Sequence, residues 1–143
     1  MDQILEFAGN HWVLVLLLVG VLIAIAANEL RLFLQGAKAL EPGTATQLYN
    51  QQGAQFIDIR AESEFHKGHL PDAIHLPQSN LSSAADGKLG KKKERPLVVY
   101  CNTGNQSAKA AASLQKQGFG NVYELKGGYS AWQSAGYPVQ RKR

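Results

Sequence analysis

Between Trp12 and Ala27 the chain reads WVLVLLLVGVLIAIAA, with no polar side chain on any face. A helix of a water-soluble surface keeps one polar face, and this run has none to offer. Its strictly apolar part is slightly shorter than the roughly 20 residues that cross a bilayer. Adding His11 at one boundary and Asn28 at the other restores a workable length, and Trp12 suits a membrane interface. The expectation is a tail and transmembrane anchor helix over 1–34 with 12–28 in the lipid, a linker over 35–40, and one domain over 41–143. A cleaved signal peptide is the competing reading, since AIAAN offers small residues at A-x-A spacing. The leading MDQILEFAGNH, however, carries Asp2 and Glu6 and no Lys or Arg, where a signal peptide carries positive charge. Positive charge follows the run at Arg31 and Lys38, which predicts a single-pass protein of the cell inner membrane with its C-terminal domain in the cytoplasm.

From Leu40 onward, short apolar runs alternate with amphipathic stretches, the pattern of a parallel sheet covered by helices. Strands are expected over 55–59, 73–76, 96–101 and 121–125. Helices are expected from a cap at Thr44 or Thr46 to Gly53, over 61–68, from Ser107 to Gly118, and over 128–136, each stopping at a glycine suited to a left-handed cap. The polar stretch 79–96 reads as a solvated loop with a short helix. Its lysines and the tail Arg141–Arg143 supply most of the net charge of +4, and in a tethered protein they can meet anionic lipid. No aromatic residues interleave with these lysines, so nucleic acid is not an expected partner.

The chain has one cysteine, which excludes an internal disulfide and leaves stability to packing. Cys101 closes the run LVVYC, and six residues later Ser107 opens a helix. Ligands of parallel α/β sheets bind beyond the carboxyl ends of strands, so this position is where chemistry is usually done. The intervening Asn102, Thr103, Gly104, Asn105 and Gln106, with Ser107, are small and polar, and Gly104 allows successive amides to turn inward. Such a nest at a helix N-terminus holds an anion and favours the thiolate of Cys101. The bland alternative is an inert buried cysteine. Phosphoryl transfer by a C-x5-R loop is disfavoured, because the sixth residue is Ser107 and the loop has no Arg or Lys. A neutral six-residue cradle better suits a single sulfur atom carried on the thiol.

Several motifs in order then resemble the rhodanese family of sulfurtransferases over nearly all of residues 40–139: IDIR (57–60), EFHKGHLPDAIHLP (64–77), VVYCNTGNQSAKAA (98–111), LQKQGFGNVYELKGG (114–128) and AWQSAGYPV (131–139). The resemblance implies a five-stranded parallel sheet flanked by helices and a persulfide on Cys101. It implies transfer of sulfane sulfur from a donor such as thiosulfate to a thiophilic acceptor, with no bound cofactor. Many members carry Arg directly after the cysteine and again before the serine, where this chain has Asn102 and Gln106. That removes positive charge around the sulfur and weighs against fast use of anionic thiosulfate.

Asp58 and Arg60 match the family's Asp-x-Arg and read as supporting architecture, with Arg60 paired to Glu62 or Glu64, or else as a source of positive potential. His66, His69 and His75 do not complete a zinc pattern, so no metal is expected, and Asp72 reads as a turn residue beside Pro71. Gly127 and Gly128 are expected to permit close backbone approach. The neutral loop also leaves open a different class of function, a membrane-tethered module that binds a protein partner at the membrane with weak or no catalysis.

Overall fold

The computed structural model describes residues 1–34 and 36–141, and the chain divides into two compact units between residues 35 and 36. In the first, α1 (Asp2–Asn10) precedes α2 (Trp12–Leu34). Residues 1–11, read as a tail, are therefore largely helical. Within α2 the segment Trp12–Arg31 is long and apolar enough to cross a membrane. Leu14, Leu16, Leu17, Leu18, Leu22 and Ile23 are each more than half exposed, so apolar side chains point in every direction around it.

The second unit is a five-stranded, wholly parallel sheet flanked by helices. Its strands are β1 (Lys38–Leu40), β2 (Gln55–Asp58), β3 (Ile74–His75), β4 (Leu97–Tyr100) and β5 (Val122–Leu125), in the spatial order β1-β5-β4-β2-β3. Between them run α3 (Pro42–Gln52), α4 (Glu62–Lys67), α5 (Ser107–Lys116) and α6 (Gly128–Ser134). Both faces of the central strands are covered, so β4 reads as a continuous apolar run, and all four residues of β2 are buried, Gln55 and Asp58 included. Ile57, Leu97 and Val99 point to one layer with Leu81, Leu114 and Phe119. Phe56, Val98 and Tyr100 point to the other with Leu40, Leu70, Leu125 and Trp132. Each large apolar side chain buried there contributes about 1.5–3 kcal/mol.

Several sequence expectations change in detail. Three residues of the expected linker, 38–40, form β1, which pairs with β5 through Lys38–Tyr123, Ala39–Glu124 and Leu40–Leu125. Helix α3 starts at Pro42 with Glu41 as its cap, rather than at Thr44 or Thr46. Proline is pre-shaped for a first helical turn, where its missing N–H costs nothing. The Thr46 hydroxyl instead donates back to the Pro42 carbonyl inside the helix, at 2.9 Å. Gly53 does end α3 in the left-handed region, at φ 65°. Gly68 follows α4 with φ 169°, an extended conformation and not a left-handed cap. The polar stretch is more ordered than a loop: it folds into short 3-10 turns over Gln78–Asp86, kinked at Ser83, and over Lys88–Lys92, and Leu81 and Ala84 are buried against α5.

Candidate active site

Cys101 lies immediately after β4, at the carboxyl edge of the sheet, and is 4% exposed. The chain then turns through residues 102–106 into α5. Gly104 sits at φ 92°, a conformation open to glycine, and its amide donates to Cys101 Sγ at 3.0 Å. Burial of the sulfur opposes ionisation, but the amides of Gln106, Ser107, Thr103 and Gly104 all favour the thiolate. The net result is a thiol pKa below its ordinary value. Ser107 is fully buried and donates its hydroxyl to the Gly104 carbonyl at 3.1 Å, which closes the loop on itself.

The loop is also held from behind by α6. The amides of Tyr129 and Ser130 donate to the carbonyls of Cys101 and Asn102, at 2.8 and 2.9 Å. Gly128 makes this possible. A Cβ there would stand 2.3 Å from the Cys101 carbonyl oxygen, and its φ is 62°. The close approach expected of the Gly127–Gly128 pair is thus made by Gly128 to the backbone of Cys101 and Asn102.

Asp58 and Arg60 form a buried pair beneath the loop. Arg60 donates from Nε to both Asp58 carboxylate oxygens at 3.1 Å and from Nη2 to Oδ2 at 2.8 Å, and Nη2 also reaches the Gly68 carbonyl. Its partner is therefore Asp58, two residues back, and not Glu62 or Glu64. Asp58 also accepts from the Tyr100 hydroxyl at 2.7 Å, and the Arg60 guanidinium lies 4.1 Å from the centre of the Tyr129 ring. This pair ties β2, β4 and α6 together, consistent with an architectural role.

Above the sulfur opens a cleft of about 590 Å³, lined by Cys101, Asn102, Thr103, Asn105 and Gln106 of the loop and by Arg60, Glu64 and Gln78 across from it. Asn102 spans the mouth. Its amide nitrogen donates to Glu64 Oε1 and Oε2 at 3.0 and 3.1 Å, while its oxygen accepts from Arg60 Nη1 at 3.5 Å. Gln106 accepts from the Gln78 amide at 3.2 Å. Glu64, Gln78 and Tyr129 are the site residues that sequence reasoning did not assign. Glu64 and Gln78 stand 38 and 28 positions from their loop partners, and no local pattern announces such pairings.

The histidines serve the frame. His69 and His75 each share a ring-nitrogen hydrogen bond with a backbone carbonyl, of Phe65 and Arg60 respectively, and both rings stack on Phe65. Asp72 occupies a turn at φ 55° and accepts from the Tyr49 hydroxyl.

The family model for the rhodanese-like domain matches residues 41–135. YibN of Escherichia coli (strain K12), a relative whose function is uncharacterised, is 31% identical over 141 residues, covering 99% of each chain. Thiosulfate sulfurtransferase GlpE of Pseudomonas putida (strain GB-1) is 40% identical over 103 residues, which are 72% of this chain and 90% of its own. Among solved structures, the crystal structure of the Alr3790 protein from Anabaena sp. is similar with a TM-score of 0.65 at 28% identity, covering 72% of this chain and 82% of that one.

Proposed function

Since this chain belongs to the rhodanese-like family, we propose that it is a sulfurtransferase in which Cys101 carries sulfane sulfur from a donor such as thiosulfate to a thiophilic acceptor at the cytoplasmic membrane. The observation that carries the reading is the placement of Cys101 at the end of β4 inside a loop that turns into α5, with the Gly104 amide donating to its sulfur at 3.0 Å. In the first step the Cys101 thiolate attacks the outer sulfur of the donor. The new S–S bond forms as the donor's own S–S bond breaks, and sulfite leaves with the electron pair. Sulfite is a weak base, so departure requires no strong general acid. The loop amides then face the charge of the terminal persulfide sulfur. In the second step an acceptor thiolate takes that sulfur and the Cys101 thiolate departs.

The anchor belongs to the same proposal. Helix α2 supplies a span of suitable length. The asymmetry of Arg31 and Lys38 after it, against no Lys or Arg before it, favours an inner-membrane protein with its catalytic domain in the cytoplasm. Intact mass measurement of Cys101 tests the chemistry. The full chain in detergent, treated with thiosulfate, should gain one sulfur atom that cyanide or a thiol removes, and Cys101→Ser should gain none. A parent chain that gains no sulfur from any donor would leave the binding-module reading in its place.

A further inference from the structure

A second cleft of about 330 Å³ backs onto the wall of the first, and the two share Arg60, Glu64 and Asn102. Their charges differ. Among the described residues, the charged side chains lining the Cys101 cleft beside the thiol are Arg60 and Glu64, and Arg60 is committed to buried Asp58, which leaves the Glu64 carboxylate without a paired cation there. The second cleft adds Lys67 and Arg141, both exposed, together with Tyr129 and Gln133. A small dianion at the sulfur therefore meets the Glu64 carboxylate with no free cation beside it, while an anionic group in the neighbouring cleft meets the same carboxylate outweighed by two cations. Asn102 directly follows the nucleophile and, with Arg60 and Glu64, lines both spaces, so these three side chains form the partition between them.

We infer that the Lys67–Arg141 cleft is an anion subsite that holds a carboxylate of the sulfur carrier while that carrier's thiol reaches Cys101. The inference rests on the sulfurtransferase reading and specifies its acceptor: a thiol on a small carboxylate-bearing molecule. In the step it serves, the acceptor thiol gives its proton to solvent and the thiolate attacks the terminal sulfur of the Cys101 persulfide. The carrier's S–S bond forms as the Cys101 Sγ–S bond breaks, and the Cys101 thiolate leaves with the electron pair. No outside oxidant or reductant is consumed. The exchange is symmetric in its two thiols, so the same carrier in its persulfide form can load Cys101 through the same contacts.

The test compares glutathione, which carries two carboxylates, with 2-mercaptoethanol, which carries none, as acceptors for the persulfide-loaded full chain in detergent. The readout is the ratio of their kcat/KM values, which cancels any general loss from misfolding. The double variant Lys67→Glu/Arg141→Glu should lower this ratio roughly fivefold or more, and added salt should lower it in the parent. An unchanged ratio in a variant whose Cys101 still accepts sulfur overturns the subsite and leaves the transferase reading intact. Failure of Cys101 in the parent to load from any donor overturns the transferase reading, and the subsite with it.

Discussion

The Tyr129 amide donates to the Cys101 carbonyl at 2.8 Å, so the residue bearing the thiol is gripped by the helix that ends the fold. That contact exists because Gly128 brings α6 against the loop with no side chain between them.

Gly128→Ala should therefore be costly. At φ 62°, its Cβ would stand 2.3 Å from the Cys101 carbonyl oxygen and 2.8 Å from the carbonyl carbon and oxygen of Asn102, and all three atoms are backbone. A loss of about 2–4 kcal/mol is expected in urea unfolding, with the Cys101 pKa moving back toward that of a free thiol as the loop shifts.

The loop amides set a pH dependence whose sign is fixed. Cys101 has a depressed pKa, so alkylation should reach half its limiting rate below the roughly 8.5 of a free cysteine. Between the folded pKa and the unfolded value, the native chain has already released a proton that the unfolded chain still holds. Stability from this group should thus be present above the unfolded pKa and be lost as pH falls through the folded pKa. Iodoacetamide rates against pH, and melting followed over the same range, check both statements.

Replacing Asn102 by Arg should pair a cation with Glu64, whose carboxylate now accepts two hydrogen bonds from the uncharged Asn102 amide. Asn102→Arg should lower the Cys101 pKa further and raise kcat/KM for thiosulfate roughly two- to fivefold. Gln106→Arg should move both quantities the same way. Steady-state thiocyanate formation measures the turnover.

Asp58→Ala leaves the Arg60 guanidinium, whose side chain is 4% exposed, without its carboxylate. The expected destabilisation is about 3–5 kcal/mol, because an unpaired charge stays buried. Asp58→Ala combined with Arg60→Leu should recover part of it in thermal melts.

For topology, a reporter active only in the cytoplasm should work when fused after Arg143, and one active only in the periplasm should be silent. The mature chain should retain residues ahead of Ala27, as N-terminal sequencing would establish.

Much of this architecture was legible locally. Gln55–Asp58, Leu97–Tyr100 and Val122–Leu125 lie inside expected strands, and Ser107 opens α5 where the break in apolar pattern placed it. What escaped is stabilised by distant partners. Strand β1 is three residues long with only Leu40 buried, so it has no periodicity of its own and is defined by β5. The partner of Arg60 was misplaced although Asp58 is only two residues away. Glu62 and Glu64 are near in sequence, but they belong to α4, while Asp58 at the end of β2 points into the same buried space as the guanidinium. The cysteine loop was readable because its geometry depends on its own glycine and amides. The Glu64–Asn102 contact was not, because the fold creates it.

A lone, nearly enclosed thiol has a consequence for how long the cargo stays aboard. With no second cysteine in the chain, a loaded Cys101 cannot collapse into an internal disulfide and shed hydrogen sulfide. Under the proposed function, dwell time is therefore set by whichever acceptor enters the cleft, and the loaded domain is a locker opened from outside rather than a timer that runs down by itself.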